Sequence, residues 1–302
     1  MKRRHLLLSM TALAALLVTQ APRVAAAEEV IGASLLTQQH PFYIQLADAM
    51  KAEAQKQGVG LQIAIANQDL NKQVADVEDF ITKKVNILII SPVDSVGVRA
   101  AVDKAQRAGI KVITVDIPAK NVKVASHIGT DNYSGGEKAG DLMAKLLGDK
   151  GKVAIIDYPT VQSVVDRVNG FKKALAAHPD MKIVADQAGI TRAEALAAAQ
   201  NMLQANPDIS GIFGFGDDAA LAAEAAVKSA NLVGKVQVVG FDGMAEARAA
   251  VDRGGPFAGV IQQFPDKMGA TAIDTAVALI HGQSVKEQQL IVPGVYLKGG
   301  AQ

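Results

Sequence analysis

The sequence predicts an α/β protein made of two similar lobes, each built around a parallel sheet. Short runs rich in Val and Ile alternate with stretches of roughly 12–18 residues that have the spacing of amphipathic helices. The short runs are apolar throughout, which is typical of strands covered by helices on both faces. The alternation restarts near Lys152, and no Ser/Gly-rich linker separates the halves. Two lobes joined in this way predict a hinge of crossing strands with a cleft between them.

Gly, Pro or polar residues separate the predicted strands from the helices that follow most of them. The strands of the first lobe are predicted at residues 30–36, 61–66, 87–91, 111–116 and 124–128. Those of the second lobe are predicted at residues 153–157, 182–186, 211–215, 236–241 and 257–262. In one predicted helix Phe171, Ala174 and Leu175 recur at the spacing of a single apolar face.

Residues 1–27 have the pattern of an export signal. Lys2, Arg3 and Arg4 precede an apolar stretch at 6–18, and small residues end the segment at Ala27. The apolar stretch is shorter than the roughly 20 residues that a membrane-spanning helix needs. We therefore expect cleavage near Ala27 and a periplasmic protein. The general export route is favoured over the twin-arginine route that the Arg pair weakly resembles.

Composition excludes several classes of protein. The hydrophobic fraction of 49% and charged fraction of 20% indicate a folded chain with a sizeable core. Cysteine is absent, which excludes disulfides, thiolate metal sites, a Cys nucleophile and a lipid anchor attached to cysteine. The formal net charge of +1 would become −3 after cleavage, because four positive residues and no negative ones leave with residues 1–27. Nothing in this balance favours nucleic-acid binding.

Motifs for catalysis, cofactors and metals are also missing from the sequence. It contains no G-x-x-x-x-G-K-[ST] loop, no G-x-G-x-x-G after the first strand and no G-x-S-x-G elbow. Gly214 and Gly216 resemble half of a dinucleotide motif, but Asp217 and Asp218 follow where a phosphate would lie. The histidines are scattered. We expect a protein without catalytic residues, cofactor or metal.

Polar side chains instead gather just after the predicted strands. Ligands of open α/β sheets bind beyond the carboxyl ends of strands. Asp116 and Asp242 supply acceptors there, Arg167 supplies donors and the Gln263 amide supplies both. Such a mixture suits neutral polyhydroxyl ligands, because each hydroxyl both donates and accepts. Phe42 and its neighbour Tyr43 can add flat apolar walls for the C–H face of a sugar ring.

Several short motifs in a fixed order carry a resemblance to a known family. In chain order they are HPFY at 40–43, IISPVDS at 89–95, VITVD at 112–116, SHIGTDN at 126–132, RVNGF at 167–171, VVGFDG at 238–243 and QFPD at 263–266. With the export signal, these motifs resemble periplasmic sugar-binding proteins of the ribose-binding protein class, the type I solute receptors of ABC importers. The resemblance covers nearly all of the chain after residue 27.

The resemblance implies the type I periplasmic binding protein fold, with two Rossmann-like lobes and a hinge of three crossings. The N-terminal lobe is expected to comprise residues 28–130 plus 264–291. The C-terminal lobe is expected to comprise 131–263 plus 292–302. The family pattern also implies a set of sugar contacts. In this sequence the matching residues are His40, Phe42, Tyr43, Ser91, Asp116, Arg167, Asp242 and Gln263.

The chain departs from the family pattern at positions that would contact a sugar. Ile117 stands where the family has Arg, Gly216 and Ser91 each stand where it has Asn, and Ile190 aligns loosely with a stacking aromatic residue. The changes at Ile117 and Gly216 remove hydrogen-bond donors and leave additional space for a ligand. We therefore expect a deoxy sugar, an alternative pentose or a polyol as ligand, rather than ribose.

The function implied by the resemblance is capture of a monosaccharide or polyol and its delivery to a membrane permease and ATPase. A monomer is expected, with a chemoreceptor as a further partner. One alternative is a sensor or chemotaxis receptor for a sugar-like signal. A transcription regulator of similar core would need an N-terminal helix-turn-helix, for which the leader leaves no room. An NAD-dependent enzyme is disfavoured by the missing phosphate loop.

Overall fold

Two sheets flanked by helices make up the computed structural model, which describes residues 29–301. The first half of the chain contains β1 (Val30–Leu35), α1 (Pro41–Gln57), β2 (Gly60–Ile65), α2 (Leu70–Thr82), β3 (Ile87–Ile90), α3 (Arg99–Arg107), β4 (Lys111–Val115), β5 (Ser126–Thr130) and α4 (Asn132–Leu147). The remainder contains β6 (Lys150–Asp157), α5 (Gln162–Leu175), β7 (Asp180–Ala188), α6 (Arg192–Ala205), β8 (Ile209–Gly214), α7 (Asp217–Ser229), β9 (Gln237–Asp242), α8 (Ala245–Arg253), β10 (Phe257–Gln262), α9 (Pro265–Ile280), β11 (Gln288–Ile291), β12 (Gly294–Leu297) and β13 (Gly300–Ala301).

The two sheets repeat one strand order. The first runs β2-β1-β3-β4-β5-β11 and is parallel throughout. The second runs β7-β6-β8-β9-β10-β12-β13, parallel from β7 to β10 and closed by two antiparallel edge strands. Their central strands are buried on both faces, as shown by the fully buried consecutive residues Ile89 and Ile90 in β3 and Ile155 and Ile156 in β6. The predicted α/β class is confirmed, and the order reverses beside β1 and beside β6, where such sheets place ligands.

Three chain segments cross between the sheets. The chain leaves β5 of the first sheet for α4, returns from β10 of the second sheet to α9 against the first, and crosses again between β11 and β12. Hydrogen bonds tie the crossings together. The amide of Asp131 donates to the carbonyl of Ile291 at 3.0 Å, and the Thr130 hydroxyl donates to the Gln263 side-chain oxygen at 2.6 Å. The three-crossing hinge follows directly from this connectivity.

Strand boundaries differ from the prediction in a few places. The strand expected at 124–128 lies at Ser126–Thr130, and that expected at 182–186 extends over Asp180–Ala188. The last three strands were not predicted. They are short strands at or next to the sheet edges, and their polar or half-buried residues give no continuous apolar run.

The N-terminal export signal at 1–27, with its cleavage point, lies outside the described residues. Among the residues that the structure does describe, no helix combines the length and the apolar character needed to cross a membrane.

Candidate ligand-binding site

A cavity of about 270 Å³ lies between the carboxyl ends of the strands of the two sheets. Seven of the eight residues predicted to contact a ligand line it: His40, Phe42, Tyr43, Asp116, Arg167, Asp242 and Gln263. Its walls come from both lobes, because His40 and Asp116 follow strands of the first sheet, whereas Asp242 ends one strand of the second sheet and Gln263 follows another. The strand-end rule therefore brings together residues that are more than 200 positions apart in sequence.

Arg167 is held on α5 by contacts on several sides. Its Nε donates to Asn132 Oδ1 at 2.8 Å, and its Nη1 donates to the Phe215 carbonyl at 2.8 Å and to Asp242 Oδ1 at 3.2 Å. The guanidinium also lies 3.9 Å from the centre of the Phe241 ring, a cation–π contact. Its Nη2 has no acceptor among residues 29–301. A buried donor is thus fixed in place and available to a ligand.

Close packing of α4 against α5 sets the position of this arginine. A Cβ at Gly136 would overlap the carbonyl oxygen of Arg167, and one at Gly170 would overlap the carbonyl oxygen of Tyr133. Glycine at these two positions lets the helix backbones approach closely. Asn132, at the start of α4, then lies within hydrogen-bond distance of Arg167.

Asp242 joins the polar groups of the second lobe. Its Oδ1 accepts from the Gln263 amide at 2.6 Å as well as from Arg167. Its Oδ2 lies 3.4 Å from the backbone nitrogen of Asp217 and 3.7 Å from His40 Nε2. At Gly216 a Cβ would come within 3.0 Å of that same Oδ2. Glycine at this position leaves the second carboxylate oxygen accessible from the cavity.

Asp116 is the buried carboxylate of the first lobe. Its Oδ2 accepts a hydrogen bond of 2.6 Å from the Tyr43 hydroxyl. Burial raises the pKa of Asp116 to about 6, an effect partly offset by the positive charge of Arg167 and by the Tyr43 hydrogen bond. Burial and the adjacent Asp116 in turn raise the pKa of Tyr43 well above its ordinary value. The tyrosine remains a neutral donor, and the carboxylate is poorly solvated before a ligand arrives.

Both carboxylates sit on unusual backbone. Asp116 has φ of 65° and Asp242 has φ of 94°, in the region that side chains other than glycine rarely adopt. Each residue follows or ends a strand, so the chain turns sharply where the side chain enters the cavity. Backbone strain of this kind is typical of functional sites.

Ser91 is the predicted contact that does not reach the cavity. It is fully buried behind Tyr43, whose hydroxyl lies 3.3 Å from Ser91 Oγ, and its carbonyl accepts from the Gln73 side chain. The Tyr43 ring covers the exit of β3, so Ser91 supports Tyr43. Tyr43 itself contacts Phe42 edge-to-face at 5.1 Å, and its hydroxyl is used on Asp116.

The structure adds cavity residues that the sequence did not single out. The largest are Tyr158 and Phe215, whose rings meet edge-to-face at 5.7 Å. Others in the wall are Leu36, Val161, Ser163 and Val164. Several follow strands, so the strand-end rule could have found them, but apolar residues there look like ordinary core residues in the sequence. Ile117, Ile190 and Gly216, noted as departures, also line the cavity.

A group of acidic and histidine side chains raises the question of a metal site. Ligand atoms of His40, Asp217 and Asp242 lie within 4.8 Å of one another. The Asp217 carboxylate, however, already accepts from the backbone nitrogens of Gly243 at 3.0 Å and Met244 at 2.7 Å. Burial and the charge of Asp242 raise the pKa of Asp217 well above its ordinary value. Asp217 therefore orders the loop that carries Asp242, a structural role.

Comparisons with known proteins agree with this geometry. The model of the periplasmic binding protein domain matches residues 31–284. The chain belongs to the periplasmic binding protein family. The ribose import binding protein of Escherichia coli strain K12 is 36% identical over 287 residues, which is 95% of both chains. The resemblance to the ribose-binding class and the fold it implied are thus confirmed.

Solved structures of this family superpose closely on the chain. An ABC transporter solute-binding protein from Mycobacterium smegmatis with bound glycerol is 40% identical, with a TM-score of 0.85 over 90% of this chain and 94% of the other. A periplasmic solute-binding protein from Actinobacillus succinogenes with bound D-allose is 33% identical, with a TM-score of 0.84 over 90% and 98%. Both relatives hold small polyhydroxyl molecules.

Proposed function

We propose that this protein is the periplasmic sugar-binding component of an ABC importer. The observation that carries the proposal is the cavity between the lobes, in which buried donors and acceptors from both lobes converge on a space of about 270 Å³. Its family relatives support the class of ligand, since they include a ribose import binding protein and structures with bound D-allose and glycerol. We propose capture without catalysis.

The contacts divide between the lobes. Arg167 donates to ligand hydroxyls through Nη2, Asp242 accepts from them through Oδ2, and Gln263 completes the second-lobe set. Asp116 accepts from the first-lobe side, with His40 beside Asp242 at 3.7 Å. Hydrogen bonds to charged groups contribute about 1.5–3 kcal/mol each when water is excluded. Phe42 and Phe215 provide apolar surface for ring carbons.

Closure of the lobes makes the full set of contacts possible. The lobes in this proposal are residues 28–130 plus 264–291 and residues 131–263 plus 292–302. They meet across the cleft where the Ser95 amide donates to the Thr160 carbonyl at 3.3 Å and the Gln162 amide donates to Ser95 Oγ at 2.9 Å. A ligand that touches both lobes stabilises this closed form, because only there are all its contacts made. The closed protein then docks on the permease, whose ATPase drives transport.

A thermal-shift screen of residues 28–302 against pentoses, hexoses, deoxy sugars and polyols tests the proposal. A ligand present at about 100 times its Kd should raise the free energy of unfolding by about 2.7 kcal/mol. Asp242→Asn should abolish the shift. Asp252→Asn should retain it, because Asp252 is exposed and pairs with Tyr296 away from the cavity. A folded protein that no sugar or polyol stabilises would contradict the proposal.

A further inference from the structure

The strand ends of the second sheet present a graded row of side chains to the cavity. Sheet order is β7-β6-β8-β9-β10, and the cavity residues at these strand ends are, in that order, Ile190, Tyr158, Phe215, Asp242 and Gln263. Neighbouring strands lie about 5 Å apart. The row therefore changes from apolar to polar toward β10, whose crossing segment is hydrogen-bonded to the crossing after β5 through Thr130. Within this row of the second lobe the hinge side is polar and the far side is apolar as far as Ile190, beyond which Thr191 and Arg192 line the cavity.

Helix α5 repeats the gradient along a single face. Val164 and Arg167 line the cavity three residues apart, on the same side of the helix, and Val161, the residue just before α5, also lines it. Three residues advance a helix by about 4.5 Å. Two apolar side chains thus precede the buried guanidinium that contacts Asp242. An independent element places apolar and charged groups at opposite ends of the same wall.

The first lobe adds two apolar side chains to the wall, Leu36 just after β1 and Ile117 beside Asp116 after β4. Both are buried and belong to one continuous apolar cluster with Tyr158, Val161 and Val164. Polar groups in the same wall include the hydroxyls of Tyr158 and Ser163. Thr37, Gln39, Gln68 and Thr191 also line the cavity, the last three as exposed residues. At the exposed mouth, the Arg192 guanidinium is already engaged by the side chains of Asp218 and Glu246.

We propose that the ligand is a deoxy sugar bound with its hydroxyls toward Asp242, Arg167 and Gln263. Its deoxygenated or methyl carbon then lies against Val164 and Ile190. This inference rests on the proposed function and narrows its ligand class. The physical reason is that a hydroxyl buried at the apolar end would lose its water without gaining a full set of partners.

Calorimetric titration with matched sugar pairs tests the proposal. Each pair differs by one hydroxyl: D-fucose and D-galactose, L-rhamnose and L-mannose, and 5-deoxy-D-ribose and D-ribose. For a pair whose shared hydroxyls fit Asp242, Arg167 and Gln263, the deoxy sugar should bind about tenfold to a hundredfold more tightly than its hydroxylated partner. If sugars bind but every hydroxylated member matches or exceeds its deoxy partner, the inference is wrong while the proposed function stands. If no sugar binds, the function and the inference both fail.

A pair of valine variants tests which part of the cavity wall causes the preference for a deoxy sugar. Val164→Thr puts a hydroxyl into the cavity wall with almost no change of shape, and it should reduce the deoxy preference to about threefold or less. Val168→Thr is the matched control, because Val168 is equally buried on the same helix and does not line the cavity. It should lower thermal stability similarly and leave the preference intact. An equal change of preference in both variants, or in neither, would overturn the assignment of the apolar end.

Discussion

The two lobes share a strand order but hold their cavity side chains in different ways. In the second lobe Asp242 accepts from both Arg167 and Gln263, and Arg167 also donates to Asn132, so these polar groups form a network without a ligand. In the first lobe Asp116 has the Tyr43 hydroxyl as its hydrogen-bond partner. We infer from this difference that the two lobes have different roles in binding. In the proposed function, the second lobe would offer a prearranged half-site, and the first lobe would supply a carboxylate that gains partners when the cleft closes on a ligand.

Removing the guanidinium from the prearranged half-site should have the largest effect. Arg167→Met should weaken sugar binding by at least about a hundredfold, because a charged donor is lost and Asp242 is left buried without its positive partner. The unpaired charge should also destabilise the protein by about 3–5 kcal/mol. Calorimetry and denaturant unfolding measure the two effects.

Lys172→Met on the same helix is the control for this variant. Lys172 is exposed and pairs with Asp186. Its removal should leave both affinity and stability nearly unchanged. If Arg167→Met lost stability but kept its affinity for the sugar, Arg167 would be a structural residue and the half-site would need another donor.

Removing the charge of Asp116 in the first lobe should instead raise stability while weakening binding. Because the folded-state pKa of Asp116 is raised to about 6 from its ordinary value of 3.8, the folded chain holds a proton that the unfolded chain releases in that interval. Stability therefore falls as the pH rises from about 4 to 6. Asp116→Asn should raise the free energy of unfolding at about pH 7.5 by about 1–3 kcal/mol while weakening sugar binding.

A pH titration of affinity sharpens this comparison between the lobes. Protonation of Asp116 removes an acceptor, so the wild-type protein should bind its sugar about tenfold more weakly at about pH 5 than at about pH 7.5. Asp116→Asn should bind weakly at both values, with a flatter profile. A variant that bound weakly but kept the full wild-type pH dependence would show that another group titrates.

The smallest expected effect concerns the contact between the lobes. Ser95→Ala removes the hydrogen bond from the Gln162 amide without touching the cavity. Loss of about 1 kcal/mol from the closed form alone should weaken affinity about fivefold, mainly by faster release. Stopped-flow release kinetics measure it, with the exposed Ser229→Ala as control. An unchanged release rate would show that this contact does not favour closure.

The strand-end rule accounts for most of what the sequence could predict. Asp116, Asp242 and Gln263 were found because charged or amide side chains next to apolar strands are conspicuous. Arg167 lies within helix α5 and was singled out by the family resemblance, and the structure brings all four to one cavity. Ser91 satisfied the same rule, yet Tyr43 covers it. How deep a side chain lies behind its neighbours depends on packing between elements distant in sequence, which a linear pattern does not contain.

The apolar part of the cavity could not be separated from the core for a related reason. Tyr158, Val161 and Val164 have the same residue types and spacing as core residues, and the structure assigns them to the main apolar cluster as well as to the cavity wall. A surface becomes a binding wall only when the opposite lobe leaves a space in front of it. That space arises from the hinge geometry.

The Gln263 side chain takes part in both the hinge and the candidate site. Its oxygen accepts from Thr130 on a neighbouring crossing segment, and its nitrogen donates to the carboxylate of Asp242. We therefore expect a rotation that opens the cleft to displace the amide that helps to orient that carboxylate. The dissociation rate of a bound sugar should then be limited by the rate of this rotation. Release at the membrane would then be controlled by the partner that moves the two lobes apart.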